Sequence, residues 1–428
     1  INAKDGQSPL GPGLSHAAPL SPGLERDAAL EPGLERDTPL AAGLECERSP
    51  EFMVSTVNVQ PQMDDTSVYL NVESEEQKEG SVGSADIAAK EAELLERARA
   101  FIDKEYDIIR AERVFGELEV LLHSHGKAAA WEEITNQQLY VRFKRKLAYY
   151  TDSGRACFDL QHDWFCAWED SDRTRSIHGW IDPSDKRKLF YKVYAQIPTS
   201  LVNVMAIANE VQLLKEWNSL VVAPPEVIGR RTAHYMILNY RMSILGGMQK
   251  LDILNEIRRF TDAEGGFFAE HIETVPEGHP AHRDPASGYK RPRQLVKNLW
   301  VACGPSHTVL IQVGKLDLPI SLTQWWATKI GGIAGRALVG SLVKNSLRST
   351  DPGNPWAAAL KDDELGLYER LQECMESEES CRRSPKPASP GKVDVFDLRP
   401  WFDKRVTPRL SQLPEGCDAH EHFMAAHV

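Results

Sequence analysis

Between residues 86 and 128, hydrophobic residues recur every three or four positions among Glu, Lys and Arg. This spacing places them on one side of a helix, so it predicts one long or two shorter amphipathic helices. We expect this extension to pack on the domain that follows, and a separate partner-binding helix is the alternative. The hydrophobic positions include Ile87, Leu94, Leu95, Phe101, Ile109, Val114, Leu118 and Leu122.

From residue 129 onward the pattern is mixed, and several segments alternate between hydrophobic and polar residues with a period of two. Such alternation predicts strands, and the segment between the first two, rich in Asp, Arg and Trp, is interpreted as a loop. Many antiparallel strands framed by helices are typical of the α+β class. The predicted strands cover residues 138–144, 189–197, 232–244, 250–260, 266–275, 293–303 and 307–316.

Two helices are predicted within the same region. Pro198 precedes a helix that runs to Trp217, and Ser200 is a suitable N-cap because its hydroxyl can accept from a free backbone N–H. Pro319 precedes a longer helix, which we expect to begin at Ile320 and to end near Arg348.

The remaining segments are expected to be linkers and tails. Residues 1–52 carry a decapeptide repeat with Pro-Gly steps, which favours a disordered leader over a multivalent docking tail. Residues 53–85 are polar and acidic, as in a linker. Residues 351–428 are expected to hold one helical segment around 360–375, a mostly disordered tail and a short apolar patch, 393–402, that can dock on the domain.

Composition excludes some classes of function. The 62 acidic residues outnumber the 50 basic ones, so no overall positive field attracts nucleic acid. No apolar run approaches the ~18 residues of a spanning helix. The seven cysteines are dispersed, without a Cys-x-x-Cys pair, which favours free thiols in a reducing compartment. We therefore expect a cytoplasmic protein, peripheral at membranes if it meets them.

Four short segments, in this order and spacing, resemble the START (StAR-related lipid-transfer) family. Trp217-Asn218 ends the first domain helix, and Leu251-Asp252-Ile253-Leu254 opens a strand. His279-Pro280 is similar to a segment that enters the next strand, and Asp317-Leu318-Pro319-Ile320 is similar to the family's ending before the last helix. The sequence departs from the family at Leu251, which replaces the usual arginine, and in the long loop after residue 143.

The resemblance implies a helix-grip fold over residues 129–350, in which a curved antiparallel sheet and a long C-terminal helix enclose a hydrophobic tunnel. It also implies non-catalytic binding of one lipid, a phospholipid, sterol or related molecule, for transfer or sensing. Burial of the lipid supplies affinity without a cofactor or metal.

Candidate ligand-binding residues lie at the end of the first domain helix and on two of the predicted strands. Ile253, Asn255, Ile257 and Arg259 share one strand face, which the resemblance directs inward. Arg241 is a candidate to contact a phosphate or hydroxyl of the ligand. The alternative is that its side chain faces solvent. The full set is Trp217, Asn239, Arg241, Ile253, Asn255, Ile257 and Arg259.

The long C-terminal helix is the candidate lid. Gly331, Gly332 and Gly335 weaken it, while Lys329 and Arg336 give it a basic side, as in a helix that opens and touches an anionic membrane. The alternative is a packed helix whose small residues allow close approach. The apolar lid residues are Leu322, Trp325, Trp326, Ile330 and Ile333.

Two other functions remain open at this point. An enzyme, either a cyclase or a hydrolase, would need a buried acid or base, for which Glu210, Asp252 and Glu270 are the candidates. An interaction scaffold would have large side chains filling the tunnel. His271, His279 and His282 suggest a metal site, but their spacing over a strand end and a loop favours surface residues.

Overall fold

The computed structural model of the protein describes residues 84–158, 164–384 and 395–410. The decapeptide leader, all but the last two residues of the acidic linker, the segment 385–394 and the tail after residue 410 lie outside the described residues. Our expectations for those segments stay predictions.

Nine antiparallel strands form one curved sheet in the order β1-β2-β3-β9-β8-β7-β6-β5-β4. Because successive side chains point to opposite faces, each strand contributes to both sides of the sheet. The strands are β1 Phe165–Glu169, β2 Arg175–Ile181, β3 Lys188–Ile197, β4 Glu226–Ile228, β5 Tyr235–Ile244, β6 Gln249–Asp262, β7 Phe267–Thr274, β8 Arg293–Ala302 and β9 Thr308–Asp317.

Helices cover both faces of this sheet. In chain order they are α1 Ser84–Ala100, α2 Ile108–Ser124, α3 Ala128–Asn136, α4 Gln138–Phe158, α5 Leu201–Asn209, α6 Leu214–Trp217, α7 Gln324–Ala334, α8 Gly340–Ser346, α9 Pro355–Lys361, α10 Leu367–Glu376, α11 Glu378–Arg382 and α12 Val395–Leu410. A π-helical turn, Gly335–Val339, joins α7 to α8.

The convex face packs against α1, α2, α4 and α12. Their buried side chains form one core with β8 and β9 residues such as Leu299 and Ile311. The last of these helices is held by Phe402, which is fully buried against Gly154 of α4 and the ring of Phe267. Of the apolar patch predicted at 393–402, residues 395–402 are described, and this part docks on the domain through Phe402.

The concave face packs against α5, α8 and α10. A second core contains Val193 and Ala195 of β3, Trp300 of β8, most of α5, and Leu342 and Val343 of α8. The C-terminal helix therefore lies on the concave side of the sheet, which positions the candidate site described below.

The predicted strand over 138–144 is wrong, because these residues begin α4. Leu139 and Phe143 are spaced by four, and the buried series continues with Leu147 and Tyr150. Over seven residues the alternation of Leu139, Val141 and Phe143 is compatible with a strand, but the longer series has the helical period.

Two other boundaries differ from the expectation. The segment interpreted as a loop contains β1 and β2, whose turn is closed by the Asp170 carboxylate accepting from the backbone N–H groups of Thr174 and Arg175. The C-terminal helix begins at Gln324 and not at Ile320, because Thr323 is its N-cap and accepts from the Trp326 N–H. The N-cap predicted at Ser200 is confirmed, since Ser200 accepts from the Asn203 N–H.

Candidate functional site

A row of polar residues crosses the concave face of the sheet. Arg259 on β6 pairs in register with Glu270 on β7, which pairs with Asn298 on β8, which pairs with Gln312 on β9. Facing positions on neighbouring strands lie side by side on one face. The row therefore forms a continuous polar strip within an apolar concavity.

Glu270 is the centre of this strip. Its carboxylate accepts from Arg259 Nε at 3.0 Å, from Asn298 Nδ2 at 2.9 Å and from Trp300 Nε1 at 3.0 Å. Gln312 donates to Asn298 Oδ1 at 2.7 Å and is itself only partly buried. Since a buried ion pair persists when its remaining lone pairs and protons are satisfied, these bonds explain how the pair is tolerated.

The strip continues to the helices at one end of the concavity. Arg259 Nη1 donates to Asn209 Oδ1 at 2.7 Å, and Asn209 Nδ2 donates to Glu210 Oε1 at 3.1 Å. The hydroxyl of Tyr368, on α10, donates to the same Glu210 oxygen at 2.6 Å. Burial and this carboxylate raise the pKa of the Tyr368 phenol, which keeps it a neutral donor.

Apolar rows flank the strip on both sides. On one side Ile257, Ile272, Val296 and Gly314 stand in register on β6 to β9. On the other side Phe268, Trp300, Leu310 and Ala195 stand in register on β7, β8, β9 and β3. A largely apolar surface with a few placed polar groups is typical of a small-molecule site.

Two tyrosines converge across the concavity. Tyr191 is on β3 and Tyr240 is on β5, five strands apart in the sheet order. Burial raises the pKa of Tyr240 to about 12. It also raises the pKa of Tyr191, and the nearby Tyr240 phenol raises it further. Such coupling requires strong curvature, and glycine at position 314 leaves room for the Tyr191 ring.

The predicted ligand-binding residues divide between the two faces. Ile253, Asn255, Ile257 and Arg259 share the concave face, because Arg259 and Ile257 face Glu270 and Ile272 of β7. All four are buried, and Asn255 Oδ1 has no hydrogen-bond partner within the described residues. This atom is an acceptor available to a ligand, since leaving it unpaired costs ~1–3 kcal/mol.

Asn239 and Arg241 lie on the opposite, convex face, so placing them inside the tunnel is wrong. Asn239 Nδ2 donates to Asp252 Oδ1 at 2.8 Å, and Arg241 Nε lies 4.0 Å from Asp252 Oδ2. The reason is the alternation of the strand, which directs Met236 and Leu238 to the concave core and the intervening residues outward. These two side chains help to hold the loop that Asp252 and Arg291 anchor.

Trp217 lies at the end of α6, beneath the C-terminal helix. Its backbone carbonyl accepts from the Ser341 hydroxyl at 2.7 Å, which ties α6 to α8. Its indole Nε1 is buried and has no partner within the described residues. It is thus a donor available to a ligand acceptor, the complement of the unpaired oxygen of Asn255.

The candidate lid residues differ in exposure. Leu322 precedes the helix and is buried, with its N–H donating to the Lys186 carbonyl. Trp325, Trp326 and Ile333 are 59%, 43% and 60% exposed, and Ile330 is partly buried. The apolar stripe containing the two tryptophans therefore faces outward and not toward the sheet.

Glycines, and not the large apolar residues, contact the sheet. A Cβ on Gly331 would meet the Ala167 Cβ at 2.5 Å, and one on Gly335 would meet the Trp168 ring at 2.5 Å. The helix thus packs closely on β1, as in the alternative interpretation of these small residues. Without a Cβ, these glycines let the helix backbone come close to the strand.

Sequence reasoning missed several residues of the site. Gln312, Tyr191, Asn298 and Asn209 were not singled out, because β8 and β9 carry buried apolar residues on both faces and alternation does not show which face is inward. Polar residues at inward positions of otherwise apolar strands were the available signal.

The three candidate acids of the enzyme alternative do not form a catalytic pair. Asp252 is on the convex side of the sheet, and hydrogen bonds from Arg291, Asn239 and the Ala286 N–H outweigh its burial and lower its pKa. Glu270 and Glu210 are occupied by the bonds described above. No described residues form a group of three or more His, Cys, Asp or Glu side chains that could hold a metal. Across the described part of the chain, no helix is long and apolar enough to cross a membrane.

The comparisons with known proteins concern the fold. No family model and no curated protein sequence matches the chain. Among solved structures, human StAR-related lipid transfer protein 5 is similar at 15% identity and a TM-score of 0.41, over 48% of this chain and 97% of that one. Human STARD10 is similar at 15% identity and a TM-score of 0.41, over 60% of this chain and 96% of that one.

A STAR-related lipid transfer protein from Xanthomonas axonopodis is similar at 14% identity and a TM-score of 0.36, over 44% of this chain and 99% of that one. The architecture itself is decided by the strand order and by the helix on the concave side. The described chain has a START-like helix-grip fold, with added helices on both faces of the sheet.

Proposed function

We propose that the protein binds one lipid between the concave face of the sheet and the α7–α8 helix, without catalysis, for lipid transfer or sensing. One observation carries the proposal. The concave face combines apolar rows with the buried Asn255 Oδ1, and Trp217 Nε1 of α6 is a second buried polar atom; neither has a hydrogen-bond partner within the described residues. Apolar burial at about 25 cal/mol per Å² supplies affinity for an acyl chain or sterol. The polar atoms select a ligand that carries both a hydroxyl and an acceptor oxygen.

The first test is native mass spectrometry and lipid extraction on the full chain purified from cells. We expect a stoichiometric lipid on the wild-type protein. Ile272→Trp adds bulk on the concave face, so we expect it to reduce lipid occupancy about tenfold, equivalent to ~1.4 kcal/mol. Glu273→Trp is the matched control, because Glu273, the residue after Ile272, is exposed on the convex face. Lipid retained equally by both variants, or an empty protein that takes up no fluorescent lipid, contradicts the proposal.

We also propose that the outward face of α7 makes transient contact with a membrane. Trp325 and Trp326 pack edge to face with ring centroids 5.0 Å apart, and Lys329 Nζ lies 5.8 Å from the Trp325 ring centroid. Exposed aromatic residues beside Lys329 and Arg336 suit an interface of anionic headgroups and acyl chains.

Vesicle sedimentation and lipid transfer measure this contact. Replacing Trp325 and Trp326 by Ala should weaken binding to phosphatidylserine vesicles about tenfold or more, since each large apolar side chain contributes ~1.5–3 kcal/mol when buried. Leu347→Ala is the control, because Leu347 is 49% exposed but lies beyond the end of α8. Equal binding by both variants would rule out α7 as the contact.

A further inference from the structure

A second cavity lies on the convex face of the sheet, separate from the proposed lipid site. This open cavity has a volume of about 1450 Å³ and is lined by α4, by outward residues of β3, β7, β8 and β9, and by the loop between β7 and β8. The lipid site requires none of its outward-facing side chains. A ligand bound in this cavity would therefore be distinct from the proposed lipid.

Its inner wall contains a buried ion pair between a helix and a strand. Lys297 Nζ of β8 lies 2.5 Å from Asp152 Oδ2 of α4, and both residues are almost fully buried. Burial lowers the pKa of Lys297, while the Asp152 carboxylate opposes this shift. The other carboxylate oxygen, Asp152 Oδ1, is buried and has no hydrogen-bond partner within the described residues.

His271 is the second unusual group in this wall. It faces Lys297 across β7 and β8, stacks edge to face on Tyr149 with centroids 4.7 Å apart, and is 4% exposed. Burial lowers its pKa, so the ring is neutral near pH 7. Nε2 lies 3.8 Å from Glu273 Oε2, and the nearby ring lowers the pKa of that carboxyl.

With the ring proton on Nε2, the nitrogen nearer the Glu273 carboxylate, Nδ1 is an acceptor. Nδ1 is buried and has no partner within the described residues. The inner wall thus presents two acceptors, Asp152 Oδ1 and His271 Nδ1, that need donors. Hydroxyl groups are the simplest ligand groups that provide them.

The same cavity is lined by cations from several elements. Lys188 and Lys315 are neighbours on β3 and β9, and burial together with the charge of Lys188 lowers the pKa of Lys315, a shift that Asp317 and Asp182 oppose. Arg145 of α4 also lines the cavity. Acidic residues are present as well, among them Glu277, which lies 4.0 Å from Arg293.

We infer that the convex cavity binds a phosphorylated polyol, with its hydroxyls on Asp152 and His271 and its phosphate among Lys188, Lys315 and Arg145. A phosphate reduces the like-charge repulsion of the lysine pair by binding both side chains, and hydroxyl groups donate hydrogen bonds to the unpaired acceptors. The same chemistry occurs in a free sugar or inositol phosphate and in a phosphoinositide headgroup. The experiment separates these two sources.

Calorimetric titration of the full chain uses myo-inositol 1-phosphate, with inorganic phosphate and myo-inositol as the two half-ligands. We expect stoichiometric binding of the inositol phosphate and weaker binding of either half alone. The double variant Lys188→Gln, Lys315→Gln should weaken both phosphate-containing probes about tenfold or more. Lys361→Gln, an exposed lysine on α9, is the matched charge control.

His271→Phe tests the inner end of the site. It keeps an aromatic ring against Tyr149 and removes the acceptor nitrogen, so it should weaken inositol phosphate but leave inorganic phosphate unchanged. This difference separates loss of a contact from loss of the fold. In the wild type, the ¹⁵N shift of His271 Nδ1 should respond to inositol phosphate and not to phosphate.

Vesicles of phosphatidylcholine with and without phosphatidylinositol 4-phosphate identify the source. If the wild type binds the phosphoinositide vesicles, the lysine variant does not, and soluble inositol phosphate binds only weakly, the ligand is a membrane lipid. Tight binding of the soluble probe assigns it to a free metabolite. The inference is overturned if no probe binds, or if the lysine and histidine variants bind as the wild type does, because the cavity then holds water only. Since these groups face away from the concave side, lipid occupancy should be unchanged in all variants.

Discussion

At the scale of single residues, burial determines the behaviour of the titratable groups. His234 is buried beside the sheet, where its Nε2 lies 3.2 Å from the Thr261 hydroxyl oxygen. Burial lowers its pKa to about 4, and nearby Asp107 opposes the shift only in part. The folded protein therefore holds a neutral imidazole at a pH where an unfolded histidine is protonated.

This shift predicts a pH-dependent stability. As the pH falls from about 6.5 to about 4, the unfolded chain binds the proton first, so the free energy of unfolding should decrease by up to ~3 kcal/mol. Urea unfolding of the wild type and of His234→Gln between pH 7 and pH 5 measures it, with roughly one pH unit between points. The wild type should lose more stability than the variant, whose remaining slope comes from the other histidines with lowered pKa values, among them His178, His271 and His307. Parallel slopes would contradict the assignment to His234.

At the scale of elements, the C-terminal helix is placed by what its glycines contact. Gly331 and Gly332 are adjacent, yet a Cβ at the first would meet Ala167 at 2.5 Å and one at the second would approach nothing closer than 3.8 Å. The helix therefore has one face against β1 and one that is open. Its tryptophans belong to the open face, which is why the membrane contact is proposed there.

The same substitution at these two positions should have opposite effects. Gly332→Ala should stabilise the protein by up to ~1 kcal/mol, because alanine favours the helix. Gly331→Ala gains the same helix propensity but should be destabilising by ~1–3 kcal/mol, since the methyl group forces α7 away from β1. Thermal and urea unfolding of the pair measure the difference. Equal stabilisation by both would mean that α7 does not pack on β1 in this way.

At the scale of the whole molecule, the sheet is covered unequally on its two sides. On the convex side α4 packs on the sheet together with α2 and α12, and more than half of its residues are buried. On the concave side α7 has one buried apolar side chain, Ala327. Local opening is cheapest where few apolar contacts are lost, so the concave side is the side that can admit a ligand.

Hydrogen exchange should reveal this difference. We expect the amides of α7 to exchange faster than those of α4 in lipid-free protein, and to become slower when a lipid is bound. Mass spectrometric exchange on peptides covering 324–334 and 138–158 makes the comparison within one sample. Protection of α7 equal to that of α4, with and without lipid, would exclude α7 as the mobile cover.

The sequence alone determined the fold class, the amphipathic extension and most strands, because hydrophobic periodicity reflects which side of an element is buried. Even spacing put Asn255 and Arg259 on one strand face with Ile253 and Ile257, and the resemblance to the START family directed that face inward. It failed at 138–144, where seven residues fit two periods, and at Asn239 and Arg241, where the face of a strand could not be read from polarity alone.

Only the tertiary structure decided which polar groups meet. The strip from Arg259 to Gln312 joins residues of four strands, and the convex cavity joins Asp152 to Lys297, which are far apart in the chain. Such contacts depend on strand register and on the placement of α4 and α7. These are fixed by packing between elements, such as Gly331 against Ala167, and local sequence carries no direct signal of that packing.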